Sequence, residues 1–222
     1  MDIVETAAAV RSRFSRVPGL FKVPAPGVEM YVLRGFLNDR ECAGLIALID
    51  RDREPSRLLA HTGDPEFRTS ESCNLDPGHP VVKAVEMKIT QIMGIDPACG
   101  ETIQGQRYAV GQQFKPHHDF FFTTEAYWPE QEKNGGQRTW TAMMFLNAVE
   151  EGGQTQFPDA QVRITPRKGN LLVWNNLDEH GAPNMASLHQ GMPVVAGVKY
   201  VITKWYRERP WTPSLAAATT LY

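Results

Sequence analysis

Two residues of complementary chemistry sit two positions apart in the run Tyr108-Ala-Val-Gly-Gln-Gln-Phe-Lys-Pro-His-His-Asp-Phe-Phe121: His117 and Asp119. If the run is a strand, side chains two apart project to the same face. An imidazole and a carboxylate then point together into one pocket, while His118 points away. That pair is two-thirds of the two-His-one-carboxylate set that holds non-haem Fe(II) and leaves coordination positions open. Soft thiolates play no part. Cys42, Cys73 and Cys99 show no CxxC or zinc-like spacing and read as reduced structural thiols rather than a disulfide framework.

Two histidines downstream could complete the set, His180 and His189. The residue ten positions beyond each histidine separates them. Lys199 lies ten residues after His189 and opens the β-type run KYVITKWY, whereas the neutral Gln190 lies ten residues after His180. Alternation in that run places Lys199, Val201, Thr203 and Trp205 on one face. A lysine directed into a pocket is costly unless an anion pairs with it. A dicarboxylate cosubstrate would supply the anion, and Thr203 would add a hydroxyl donor to it.

The elements that must position these groups begin at the N-terminus. Residues 1–27 form an N-terminal arm: a short helix around Val4–Phe14, then the Pro- and Gly-rich RVPGLFKVPAPG. Val28–Leu33 is β-prone. Asn38 is a helix N-cap with Glu41 at the capping-box position, and Cys42, Leu45, Ile46 and Ile49 give residues 39–52 a helical apolar face. Residues 53–79 are polar and turn-rich, a long loop in which Arg68 is a substrate-facing candidate. Pro80 opens a second helix that runs to about Met93 and stops at Gly94. From Glu101 to Arg207 the chain is short β-type runs, among them TIQGQRYAV, TAMMFLN, GGQTQF, VRIT, NLLVW and VKYVITKWY. No helical pattern interrupts them, so a sandwich or barrel is expected rather than a parallel βαβ sheet.

Bulk properties agree. A chain of 222 residues suits one large domain, and 42% apolar content supports a sizeable core. Net charge is −2 with pI near 6.3, which argues against a nucleic-acid coating role. No apolar run approaches the roughly 18 residues of a transmembrane helix. The start, MDIVETAAAVRSRF, lacks the apolar core of a secretory signal, and a cytoplasmic location is expected, with no membrane partner. No pattern specifies an oligomeric state.

Four segments together, YAVGQQFKPHHDFF, RTWTAMMFLNAVEEGGQTQFP, PRKGNLLVWNNL and SLHQGMPVVAGVKYVITKWYRE, resemble the prolyl 4-hydroxylase branch of the Fe(II)/2-oxoglutarate-dependent dioxygenases. They fall in the family's order and cover residues 101–208; FRTSESCNL and GETIQGQRY upstream are also similar to it. The resemblance implies a mainly β fold: a double-stranded β-helix, jelly-roll or cupin-like, with N-terminal helices packed on one sheet. It implies one dioxygenase domain over residues 28–210, with helical support over 28–100 and the β-core over 101–210, and a C-terminal tail at 211–222. It implies His117, Asp119 and His189 as iron ligands, and Lys199 as the salt-bridge partner of the distal carboxylate of 2-oxoglutarate. Tyr108 and Thr203 match positions that hydrogen-bond the cosubstrate, and Trp205 matches an aromatic near the site; Trp174 and Arg68 join it as substrate candidates. The pattern departs at Phe145, where many relatives carry a tyrosine.

The function this implies is hydroxylation of prolyl residues in a peptide or protein, with O2 consumed and succinate and CO2 released, and with ascorbate as reductant. The same chemistry on a free amino acid or other small molecule is an alternative. A non-catalytic cupin-like sensor is another, against which the intact triad and Lys199 count.

Overall fold

Local signals start and stop the helices. In the computed structural model, which describes residues 2–59 and 63–212, Asn38 accepts from the Glu41 amide at 2.9 Å and Glu41 accepts from the Asn38 amide at 2.8 Å. This reciprocal cap opens α2 (Asp39–Asp52). The same device, Asp2 with Glu5, opens α1 (Ile3–Phe14). α3 (Pro80–Met93) begins with Pro80, where no amide donor is needed, and is capped by His79; it ends at Gly94, whose φ of 66° suits a residue without Cβ.

Between the helices lie β1 (Leu20–Lys22), β2 (Met30–Leu33), β3 (Glu54–Pro55) and β4 (Glu71–Asn74). After them come β5 (Gln104–Tyr108), β6 (Phe114–His117), α4 (Trp128–Lys133), β7 (Arg138–Phe145), β8 (Glu151–Gly152), β9 (Thr155–Phe157), β10 (Val162–Ile164), β11 (Leu171–Asn175), β12 (His189–Gly191), β13 (Val194–Ala196) and β14 (Lys199–Arg207). The large sheet runs β1-β2-β11-β7-β14-β5-β4-β3, and a small sheet runs β10-β9-β12-β6. Both are antiparallel, and together they form the double-stranded β-helix, mainly β with helices on one sheet.

The large sheet separates two cores. Its outer face packs Tyr200, Ile202, Tyr206, Trp140, Ala142 and Met144 against the helices. Its inner face packs Val201, Met143, Phe145, Leu172 and Trp174 with Phe157 of the small sheet. β14 is therefore buried at every residue, as a strand covered on both sides must be. Gly105 lets α2 sit close: a Cβ there would lie 2.5 Å from Ile49 Cγ1. Leu45 and Ile49, both fully buried, contribute roughly 1.5–3 kcal/mol each to this packing.

Three expectations change. The N-terminal segment is more than an arm: Ala7, Val10 and Phe14 of α1 enter the helix-side core, Phe14 stacks edge-on against Tyr31 at 4.8 Å, and β1 pairs with β2. Residues 28–100 are more than helical support, since β2, β3 and β4 join the large sheet and shorten the expected 53–79 loop. A helix, α4, does interrupt the β-region; at six residues it is too short to show an apolar period. Of the 211–222 tail, residues 213–222 lie outside the described residues.

Candidate metal centre

β6 and β12 pair so that His117 and His189 are direct cross-strand partners, with ring centroids 4.3 Å apart. β6 ends at His117, so Asp119 is not held by strand alternation as expected. It converges through a buried hydrogen bond instead: the Thr141 hydroxyl of β7 donates to Asp119 Oδ2 at 2.7 Å, and Asn176 Nδ2 donates to Thr141 at 2.9 Å. Asp119 Oδ2 lies 3.7 Å from His189 Nε2. One ligand atom from each of the three residues lies within 4.8 Å of the others, the one such group among the described residues.

Hydrogen bonding prepares both imidazoles. His117 Nδ1 meets the Lys115 carbonyl at 2.8 Å, and His189 Nδ1 meets the Ser187 carbonyl at 3.0 Å. A carbonyl only accepts, so each Nδ1 carries the proton and each Nε2 lone pair is left for a ligand. Burial, then the neighbouring His189, pushes His117 well below its ordinary range, so it is neutral at neutral pH. Burial alone would raise Asp119, but His189, His117, Arg138 and the Thr141 hydroxyl hold it below its ordinary value, so it stays ionised. Phe114 stacks on His117 at 3.5 Å; Trp174 and Phe157 bracket His189 at 4.8 and 5.3 Å. Two imidazoles that each turn Nε2 inward and one carboxylate, all positioned by second partners, fit a divalent ion of Fe(II) type.

The other histidines stand apart. His118 donates Nε2–H to the Met185 carbonyl at 3.0 Å. The His180 side chain is 81% exposed beside Glu179, which removes it as a ligand. His79 caps α3, and His61 lies outside the described residues.

A recess beside the three ligands is lined by Gln106, Tyr108, Thr203, Lys199, Gly191 and Trp205, among others. β14 carries three cations, and two are paired: Lys204 with Glu86 at 2.7 Å, and Arg207 with Glu101. Lys199 is 2% exposed, and no carboxylate among the described residues pairs with it. Burial alone pushes its ammonium down to about 7. Its Nζ lies 5.1 Å from the ring centre of Tyr108, its cross-strand partner, and Thr203 lies further along the same strand, on the same face. Burial first of all raises the Tyr108 phenol, which stays protonated.

Arg68 sits at the rim. Its guanidinium lies over Phe114 at 4.7 Å and donates to Gln104 Oε1 at 2.8 Å and Ser70 Oγ at 3.2 Å. Trp205 lines the recess, with the Arg138 guanidinium 4.1 Å from its ring centre. Trp174 does not meet the expectation of a substrate residue. It is 0% exposed and lies behind His189, so it shows no surface to an incoming peptide.

Several residues escaped sequence reasoning. Thr141, like Thr139, is a buried polar residue on the face of β7 that also carries Met143 and Phe145, a usable signal. Glu101 accepts two bonds from Arg138, at 2.6 and 2.8 Å, and one from Arg207. Those three positions are far apart in the chain and only folding joins them. Gln106, 4% exposed, is the third.

Two facing sheets that bury a His-Asp-His set beside a buried lysine define an Fe(II)- and 2-oxoglutarate-dependent dioxygenase. Residues 103–207 match the 2OG-Fe(II) oxygenase superfamily. The chain is 32% identical over 200 residues to probable prolyl 4-hydroxylase 8 of Arabidopsis thaliana, spanning 79% of this chain and 67% of that one. It is 34% identical over 202 residues to prolyl 4-hydroxylase 5 of the same plant, with the same shares. The viral collagen prolyl hydroxylase of Paramecium bursaria Chlorella virus-1, solved as its 2OG complex, superimposes with a TM-score of 0.64 at 30% identity, over 80% of this chain and 95% of that one. The chain belongs to the prolyl 4-hydroxylase branch of this superfamily.

Proposed function

We propose that the protein hydroxylates prolyl residues of a peptide or protein, with His117, Asp119 and His189 holding Fe(II) and with Lys199, Thr203 and Tyr108 holding 2-oxoglutarate. The observation that carries this is Lys199: a buried cation with no carboxylate partner among the described residues, in the recess that the three ligand side chains share. A buried unpaired ammonium is expensive, and a dicarboxylate whose far end reaches it removes that expense. Bound iron with 2-oxoglutarate supplies the oxidising power that turns a C–H bond into C–OH, with O2 consumed and succinate and CO2 released.

The chain's own residues position and shield. The Lys115 and Ser187 carbonyls fix the two imidazole tautomers, and Thr141 fixes the carboxylate. Lys199 and Thr203 orient the cosubstrate along β14, and orientation is the larger part of what a protein contributes to such chemistry. Phe114, Trp174 and Phe157 exclude water around the imidazoles. Arg68 and Trp205, on the rim and wall, are the side chains an approaching peptide would meet. Ascorbate as reductant and a cytoplasmic setting complete the reading; the three free thiols, Cys42, Cys73 and Cys99, suit a reducing compartment.

Purified protein given Fe(II), ascorbate, 2-oxoglutarate and proline-containing peptides should release succinate in step with a peptide product heavier by one oxygen atom, placed on proline by fragmentation. No binding of 2-oxoglutarate would sink the class. Succinate release with no oxidised proline in any peptide would sink the substrate.

A further inference from the structure

Along the inner face of β5, the alternate residues Gln104, Gln106 and Tyr108 form a line of polar groups from the rim to the recess. The direction of every hydrogen bond in that line is forced from one end. Arg68 has donors only, so the side-chain atom of Gln104 that faces its guanidinium at 2.8 Å is the oxygen. Gln104 Oε1 in turn accepts from Gln106 Nε2 at 3.1 Å, which turns the Gln106 oxygen toward Tyr108. The Tyr108 hydroxyl donates to that oxygen at 2.8 Å. The remaining contact of Gln106 Nε2 is Thr203 Oγ1 at 3.4 Å, where the amide donates and the hydroxyl accepts.

The consequence falls on Thr203. Its oxygen accepts a hydrogen bond from Gln106, so its own O–H is free to turn toward the recess it shares with Lys199. Tyr108 is the opposite case: its O–H donates to Gln106 Oε1, so it borders the cosubstrate as a wall of the recess, its ring centre 5.1 Å from Lys199 Nζ, and not as a donor. An anion beside Lys199 therefore meets one hydroxyl donor free to turn to it, and that donor is Thr203. We infer that Gln106 is a positioning residue: it sets the polarity of the recess so that Thr203 donates to the cosubstrate carboxylate. Phe145, on the inner face of neighbouring β7, brings no hydroxyl of its own, which leaves this work to Thr203. The inference rests on reading the recess as the 2-oxoglutarate site.

The test is a double-mutant cycle read as binding of 2-oxoglutarate to Mn(II)-loaded protein by calorimetry, without turnover. Gln106→Met, similar in length and without the amide, should weaken binding about three- to tenfold, the scale of one aimed hydrogen bond. Thr203→Val should weaken it by a similar factor, and the double variant should bind no worse than Thr203→Val. Gln106→Leu serves if the methionine variant does not fold, and melting curves on the same samples confirm folding. Wild-type affinity in the Gln106 variant, or effects that multiply fully in the double variant, overturns the inference while leaving the site assignment standing. Failure of the wild-type protein to bind 2-oxoglutarate overturns the site assignment and the inference with it.

Discussion

Replacing Lys199 with methionine removes a charge and keeps most of the side-chain volume. In the ligand-free protein Lys199 is 2% exposed, and burial moves its ammonium from its ordinary 10.5 to about 7. At roughly 1.4 kcal/mol per pH unit, that burial costs on the order of 5 kcal/mol below neutral pH, where folded and unfolded lysine are both protonated. The folded value lies below the unfolded one, so between about pH 7 and 10.5 the unfolded chain holds the extra proton. Stability from this group therefore rises with pH across that window and is lowest beneath it. Lys199→Met should accordingly be several kcal/mol more stable than wild type near about pH 6, and the gain should shrink to little near about pH 10. For a chain of this length a kilocalorie shifts the melting point by about 2–4 °C, so the difference at acid pH is readily measured. Urea unfolding of metal-free and ligand-free protein across that pH range is the assay. The same variant should lose the thermal stabilisation that 2-oxoglutarate gives the Mn(II)-loaded wild type. A variant less stable than wild type at the acid end, or a gain that does not change with pH, refutes the description of Lys199 as an unpaired buried cation.

The same geometry carries two more expected outcomes. Thr141→Val removes the hydroxyl that holds Asp119 at 2.7 Å and should lower Mn(II) affinity about tenfold or more with little change in melting point; unchanged titration curves would show that the strand packing alone holds the carboxylate. Glu101→Gln leaves Arg138 and Arg207 facing a neutral amide in a buried site and should cost about 3–5 kcal/mol in thermal or urea unfolding, whereas a loss under about 1 kcal/mol would show that solvent reaches both guanidinium groups.

Much of the fold was legible because its signals are local. The cap at Asn38, the helix-opening Pro80, the apolar spacing Cys42–Leu45–Ile49 and the stop at Gly94 act within a few residues of the chain, and the helices appear where those signals lie. β1 and β4 were missed for the converse reason. Each is three or four residues long and partly exposed, so neither carries a run of apolar alternation, and each exists because a partner strand is already in place. The short α4 is likewise held by its surroundings: the Arg207 guanidinium binds Gln131 Oε1 at 2.8 Å and the Gly136 carbonyl at 2.7 Å.

By itself the sequence determined which residue types are available to the site and on which strand face they lie. Lys199, Val201, Thr203 and Trp205 share a face because alternation is a property of one strand, and His117 was separated from His118 on the same ground. The choice of His189 over His180 came from spacing to Lys199. Only the tertiary structure decided how Asp119, outside any strand, is held by Thr141 and Asn176. It alone showed that Trp174 is the backing of His189 and not a substrate wall, and that Glu101 joins Arg138 to Arg207. It alone turned Gln106 from an unremarked polar residue into the link between Arg68 and Thr203. The physical reason is range. Alternation and capping act between neighbours along the chain, while hydrogen-bond direction and the absence of a counter-ion depend on groups that meet only after the sheets have closed.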